Sequence, residues 1–248
     1  MRLVRGRAST PDDDRAATAA MLTRVGETGE AAFRAWTPHR QVAFGRRDAS
    51  DPGYDAACRA AHEREYATVE RSVGGRAVAY SGTTVAFAHA LPLDDPRGGL
   101  TERYEAGVDG VRVALAEVGV DASEGEPPRS FCPGDHSVQV AGGVGKVAGI
   151  AQRVRSDAVL VAGCLLVTDR ADLVDVLSAV YAALDVPFDP AAVGTVADAG
   201  GPDDPERVCR ALERAFVGDA SDPRVRIESA AELAETADRG EQIDSRET

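Results

Sequence analysis

The sequence predicts an α+β fold, and three observations predict it. Strand-like segments arrive in clusters instead of alternating one by one with helices. Stretches with apolar residues at helical spacing separate those clusters. Hydrophobic residues make up 44% of the 248, enough to bury one sizeable core. The expected organisation is a single catalytic-size domain over residues 1–221, with its core in 2–184. A polar, acidic, flexible tail is expected over 222–248, where large apolar residues thin out.

Each element follows from its local chemistry. "TPDDDRAATAAMLTRV" reads as a helix, with Asp12, Asp13 and Asp14 at the end where the dipole favours negative charge. "AAFRAWTP" and "QVAFGRR" read as two strands joined by a turn that contains proline. "DPGYDAACRAAHERE" resumes a helical pattern. "YATVERSVGGRAVAYSGTTVAFAHAL" reads as a strand, a glycine turn and one or two further strands. "LTERYEAGVDGVRVALAEVGV" has helical spacing, and "HSVQVAGGVGKVAGIAQRVRSDAVLVAGCLLV" reads as strand, turn, strand, strand. "RADLVDVLSAVYAAL" and "DPERVCRALERAFV" are two more helices.

Composition narrows the function classes. The net charge is −13, and the excess carboxylates are scattered along the chain, a pattern expected of a protein adapted to a salty cytoplasm. The same charge argues against nucleic-acid binding, which needs basic patches to neutralise phosphates. No stretch is long and apolar enough to be expected to cross a membrane, and the N-terminus has no apolar signal core. Cys58, Cys132, Cys164 and Cys209 are widely spaced and form no CxxC pair. A zinc site is therefore not expected, and reduced thiols in a cytoplasm are.

Two glycine-rich turns stand out. "RSVGGRAV" (71–78) places Gly74 and Gly75 between Arg71 and Arg76. The glycines allow close backbone approach to a ligand, and the arginines could bind a carboxylate or phosphate. The same pattern also fits a tight hairpin with solvated arginines. "AGGVGKVAG" holds Lys146, the one lysine among 28 Lys and Arg residues. Neither turn is a P-loop or a dinucleotide fingerprint, because Lys146 is followed by Val147 and not by Ser or Thr. A lysine that survives in an arginine-only background marks a place where a compact ammonium serves and a planar guanidinium does not.

Together these stretches resemble the lipoate–protein ligase and octanoyltransferase family, which shares a catalytic fold with biotin–protein ligases. "RSVGGRAV" is similar to the family's Arg-x-x-Gly-Gly-(Gly/Arg)-Ala-Val loop. "GKVAGIAQR" is similar to its Lys-(Val/Ile/Leu)-x-Gly-(Ser/Asn)-Ala-Gln segment, in the same order. "QVAFGRR" sits where the family has a strand ending in Gly-Arg. The resemblance implies mixed and antiparallel sheets flanked by helices. It implies transfer of a lipoyl or octanoyl group to one lysine of a carrier, either the lipoyl domain of a 2-oxoacid dehydrogenase complex or the glycine cleavage carrier protein. Arg71, Gly74, Gly75, Arg76, Gly149 and Gln152 would line the acyl or acyl-adenylate site. Lys146 would contact the acyl carbonyl or phosphate, stabilising the oxyanion. Burying about seven carbons of an octanoyl chain is worth roughly 5–6 kcal/mol, with Val78, Val85, Phe87, Val147 and Ile150 as candidate walls.

Departures from the pattern sharpen the choice. Arg76 stands where ligases carry a third glycine, as in the branch that works through a cysteine. Cys132 lies fourteen residues before Lys146, at the family's nucleophile spacing, and His136 could assist as a base. Cys132 could equally be a buried small residue. Ile150 replaces a Ser or Asn, and Gly163 falls where a histidine is common. Two routes stay open. One takes an acyl group from an octanoyl carrier protein onto Cys132. The other uses ATP and Mg²⁺ to form lipoyl-AMP, with no tightly bound cofactor in either case. The residues after Pro190 are too few for the ligases' accessory domain, so a separate accessory subunit is an option. A non-catalytic paralogue that binds lipoate or lipoylated domains is the alternative.

Overall fold

The computed structural model describes residues 1–71, 75–142 and 145–236. In chain order the elements are β1 (Arg2–Arg5), α1 (Pro11–Thr28), β2 (Ala32–Trp36), β3 (Gln41–Phe44), α2 (Arg46–Ala49), α3 (Tyr54–His62), β4 (Ala67–Glu70) and β5 (Val78–Tyr80). Then come β6 (Val85–Pro92), α4 (Leu100–Glu117), β7 (Ala122–Glu124), β8 (Ser137–Val140), β9 (Lys146–Val154), β10 (Ala158–Leu165), α5 (Arg170–Ala183), α6 (Pro205–Val217) and β11 (Arg226–Ser229). An eight-stranded sheet runs β11-β1-β2-β6-β10-β9-β8-β7, and a three-stranded sheet runs β4-β3-β5. The sheets are mixed: β1 is parallel to β2 and β11, and β3 to β4, while β6, β10 and β9 pair antiparallel. This is the expected α+β class. The proline turn between β2 and β3 carries the chain from the large sheet to the small one.

The large sheet is covered on both faces, and the alternation of side chains decides what covers it. Along β6, Val85 and Phe87 face α4 and α6 with Phe33, Leu165 and Leu212. The intervening Ala88 and Ala90 face α1, where Ala17, Met21, Leu22 and Val25 meet Leu160. A third cluster packs α3 and α5 against the small sheet, through Phe44, Tyr66, Val78, Leu177 and Tyr181. Helix α1 starts as the sequence suggests: the Thr10 side chain accepts from the Asp13 N–H at 3.1 Å, with Pro11 in the first turn. Asp14 does more than complement the dipole. It is buried and holds the guanidinium of fully buried Arg34.

The expected tail needs correction. Residues 226–229 form β11, parallel to β1, and Glu228 accepts from both Arg2 and Arg24. The following helical residues bury Ala230, Leu233 and Ala234 in the α1 cluster. "RIES" has only one large apolar residue, because an edge strand buries little and is held here by ion pairs. Residues 237–248 lie outside the described part of the chain. Among the described residues no helix is long and apolar enough to cross a membrane.

Candidate active site

A cavity of about 760 Å³ opens between α1, the small sheet and the face of β6, β10 and β9 that carries small side chains. Its floor is Ala86, Cys164 and Gly149 in one cross-strand row, and Ala162 and Ala151 in the next. Small residues there are what leave the space. Of the candidate walls, Val78, Phe87 and Ile150 line the cavity. Val85 and Val147 belong to the packed core instead.

Cys132 lines this cavity from the loop between β7 and β8. Its backbone is left-handed, with φ +39°, an uncommon conformation for a residue with a side chain. Three contacts hold it. Its N–H donates to the Tyr181 hydroxyl, which in turn donates to the Ala77 carbonyl at 3.1 Å. Its carbonyl accepts from Lys146 Nζ at 2.8 Å. Its sulfur accepts from Arg71 Nη2 at 3.2 Å and from the Arg76 N–H at 3.5 Å. Burial works against a thiolate here. The Arg71 charge, the Arg76 N–H, the Lys146 charge and the Gly75 N–H outweigh it and lower the thiol below its ordinary range. Burial pushes Cys164, on the same cavity, up to about 11. Cys209 is pushed up to about 12. The fold thus sets Cys132 apart from the two buried thiols, Cys164 and Cys209.

Lys146 opens β9 and is 1% exposed. Its ammonium meets Cys132 O at 2.8 Å, Phe131 O at 3.0 Å and Glu126 Oε2 at 3.0 Å. Three tetrahedral N–H groups find three acceptors around one small volume, which a flat, bulkier guanidinium cannot reproduce. The surviving lysine therefore clamps the loop that presents Cys132. Glu126 is itself held by the Ser130 hydroxyl.

The other expected residues divide. Arg71 lines the cavity at the sulfur, and Gly75 lines it beside them. Gly74 lies outside the described residues. Arg76 presents its backbone N–H to Cys132 but sends its guanidinium to fully buried Asp48, at 2.9 Å. The turn is locked by a close approach: a Cβ on Gly45 would sit 2.1 Å from the Gly75 carbonyl oxygen. Gly149 lies in the floor. Gln152 is not among the cavity residues. It ties β9 to α4, accepting from Arg103 Nε at 2.9 Å and donating to Leu100 O at 2.8 Å. A side chain at Gly163 would meet Phe87 at 2.5 Å and the Gly149 carbonyl at 2.6 Å, so the place where the resemblance expects histidine is closed. His136 lines the cavity, but its ring pairs with Glu124 and Tyr104 and not with the Cys132 sulfur.

Sequence reasoning missed Tyr181, Glu126 and Asp48. Tyr181 carried no signal, since a tyrosine in an amphipathic helix reads as core. Glu126 and Asp48 look like surface acids until folding buries Lys146 beside the first and Asp48 itself beneath Arg76.

Comparison with known proteins agrees with this geometry. Residues 11–217 match the lipoyl protein ligase A/B catalytic domain. An octanoyl-[GcvH]:protein N-octanoyltransferase of Exiguobacterium sibiricum is 35% identical over 128 residues, 51% of this chain and 45% of that protein. The enzyme of the same name from Oceanobacillus iheyensis is 28% identical over 131 residues, 51% of this chain and 44% of that one. The matched segment thus spans less than half the length of either relative. Among solved structures, lipoate-protein ligase A bound with ATP superposes with a TM-score of 0.74 at 20% identity, covering 96% of this chain and 92% of that one. The bi-partite lipoate protein ligase of Thermoplasma acidophilum gives 0.69 at 19% identity, covering 96% and 90%. These superpositions establish a shared fold. With the match running through most of the chain and across the whole cavity, the protein belongs to the lipoyl protein ligase A/B catalytic-domain family.

Proposed function

We propose that this protein moves an octanoyl or lipoyl group onto a lysine of a lipoyl carrier domain through a thioester on Cys132. The observation that carries this reading is the Cys132 sulfur itself, presented to the cavity on left-handed backbone and facing Arg71 and the Arg76 N–H. A thiol lowered below its ordinary range carries more thiolate, and the thiolate is the nucleophile. It attacks the acyl carbonyl carbon, the bond to the donor's leaving group breaks, and an acyl thioester forms. The acceptor's amine then attacks the same carbon, the C–S bond breaks, and the electron pair returns to sulfur as thiolate. Once the sulfur is acylated, the donors that faced the thiolate become available to the carbonyl oxygen, where charge develops. Lys146 acts by holding the nucleophile and not by touching the acyl oxygen. The floor of small residues accommodates the acyl chain.

This route consumes no nucleotide and no Mg²⁺, because the donor already carries an activated or exchangeable acyl group. The names of the curated relatives support an octanoyl group borne on a glycine cleavage carrier as donor. Exchange of one acyl-lysine amide for another is then close to thermoneutral. The lipoyl domain of a 2-oxoacid dehydrogenase is the acceptor class this reading favours.

The test offers purified protein an octanoylated glycine cleavage carrier and an apo lipoyl domain, without nucleotide, and reads products by intact mass. Transfer by the wild type, abolished in Cys132→Ala and retained in Cys164→Ala, supports the reading. Transfer that requires free lipoate with Mg-ATP and survives Cys132→Ala replaces it with the ligase route. Binding of carrier domains with no transfer from either donor leaves the non-catalytic alternative.

A further inference from the structure

Transfer to a lysine raises a demand that the surroundings of Cys132 do not meet. The acceptor arrives as an ammonium, gives one proton to water to become a nucleophile, and must shed a second as its nitrogen becomes an amide. The described partners of the sulfur are both donors, Arg71 and the Arg76 N–H. Lys146 is committed to Glu126, Phe131 and Cys132, and Glu126 is committed to Lys146 and Ser130. The proton acceptor has to come from elsewhere on the cavity wall.

His136 is placed for that task. It lines the same cavity and lies in the same loop, four residues beyond Cys132. Its backbone is pinned, since the Ile150 N–H donates to His136 O at 3.1 Å and the next residue, Ser137, pairs with Gly149. Gly149 is also where the Lys146 stem packs: a Cβ there would lie 3.3 Å from Lys146 Cε. His136 and Cys132 are thus tied to the same short stretch of β9, one through Gly149 and Ile150, the other through Lys146. The ring stacks on Tyr104, with centroids 3.9 Å apart and 16° between planes. Nδ1 faces Glu124 Oε1 at 3.4 Å. A carboxylate can only accept, so in the neutral ring Nδ1 carries the hydrogen and the lone pair falls on Nε2. A carboxylate that fixes the tautomer of a histidine is the arrangement of a general base.

We propose that His136, oriented by Glu124 and Tyr104, is the base that takes the amine proton as the acceptor nitrogen attacks the acyl group on Cys132. The proposal rests on the acyl-cysteine reading above. The C–N bond forms, the C–S bond breaks, sulfur leaves as thiolate, and the nitrogen's proton passes to Nε2. With an amide donor the same group works in reverse in the first half-reaction: the imidazolium left by the preceding transfer, or formed by taking a proton from water, gives that proton to the departing lysine nitrogen and returns to the neutral ring. A thioester donor leaves as a thiolate and needs no such proton. His136 should therefore matter wherever a lysine nitrogen enters or leaves, and nowhere else.

That selectivity is the test. The full chain is loaded with octanoyl from its N-acetylcysteamine thioester, and each half-reaction is followed by intact mass. His136→Gln should load at the wild-type rate. Its acyl-enzyme should be cleared at the wild-type rate by hydroxylamine, which cleaves thioesters without an enzymatic base. Its transfer to an apo lipoyl domain should fall by about 10²–10⁴-fold, and loading from an octanoylated carrier lysine should fall by a similar factor. Glu124→Gln should show the same pattern, weaker. Transfer to the lipoyl domain at the wild-type rate in His136→Gln overturns the proposal. So does equal slowing of thioester loading, hydroxylamine clearance and lysine transfer, which marks a structural role. If the wild type takes no octanoyl group on Cys132, the acyl-cysteine reading itself falls, and this one with it.

Discussion

Arg34 and Arg71 are two arginines drawn into the interior beside one cavity, and their partners set them apart. Arg34, fully buried, is held by the Asp14 carboxylate and by Gly6 O at 3.0 Å, and its guanidinium lies 3.9 Å from the Trp36 ring. Burial lowers its pKa, and Asp14 compensates only in part. Arg71 faces the Cys132 sulfur, and although burial opposes its charge, the thiolate raises its pKa above the ordinary value. A cation paired with a carboxylate is neutralised in place and serves the fold. A cation paired with a thiol favours the ionised sulfur and so serves reactivity. Burial of a charge does not by itself mark a site; what the charge faces does.

The largest expected effect removes the thing Arg71 faces. Cys132→Ala should lower acyl transfer by about 10⁴-fold or more, measured as initial rate with saturating donor. It should barely change thermal stability, since the side chain is small and only partly buried. Next come the two arginines themselves. Arg34→Met leaves Asp14 buried without its arginine partner and should cost about 3–5 kcal/mol by denaturant unfolding. Arg71→Met should instead cut the alkylation rate of Cys132 at neutral pH, moving its pH profile up toward that of an ordinary thiol. The comparison is broken if Arg71→Met unfolds the protein as readily as Arg34→Met while leaving the alkylation profile in place.

His89 extends the comparison to a group held inside with no ionic partner among the described residues. It packs against Phe33 and Phe216 at centroid distances of 5.8 and 5.5 Å, and burial lowers its pKa from 6.5 to about 4. The unfolded chain therefore binds the proton first as pH falls. The contribution is intact above the unfolded value and is lost as pH drops from about 6.5 toward about 4. The loss should reach about 3 kcal/mol. His89→Phe should flatten that part of the stability profile, and an unchanged slope contradicts the assignment. A smaller effect is expected at the clamp. Lys146→Arg keeps the charge but overfills a closed site, so it should cost about 1–3 kcal/mol. It should also lower transfer by displacing the Cys132 loop. Near wild-type activity in this variant would remove the role given to Lys146.

Much of the fold was legible in the sequence, and the reasons are local. The acidic start of α1 at Asp12 to Asp14, the alternation along β6 and the helical spacing of α4, α5 and α6 are signals within one turn or one strand. Strands β1, β7 and β11 were not legible, because "RLVR", "ASE" and "RIES" hold two, none and one large apolar residue. The site divides the same way. Lys146 stood out by composition, and Cys132 stood out by its spacing from Lys146 in a family pattern. What the site does with them was hidden, because the contacts join residues far apart: Arg71 with Cys132, Tyr181 with the Cys132 backbone, Glu126 with Lys146. Gln152 matched the pattern as well as Gly149 did, yet it fastens β9 to α4 and does not line the cavity.

The measurement closest to the central claim is the acyl-enzyme itself. Wild-type protein is incubated with an octanoylated glycine cleavage carrier, without acceptor and without nucleotide, then quenched in acid and mapped by peptide mass. The account predicts one octanoyl group, labile to hydroxylamine, on the peptide that contains Cys132. An unmodified Cys132 peptide under conditions that go on to transfer octanoyl to an added lipoyl domain would contradict it.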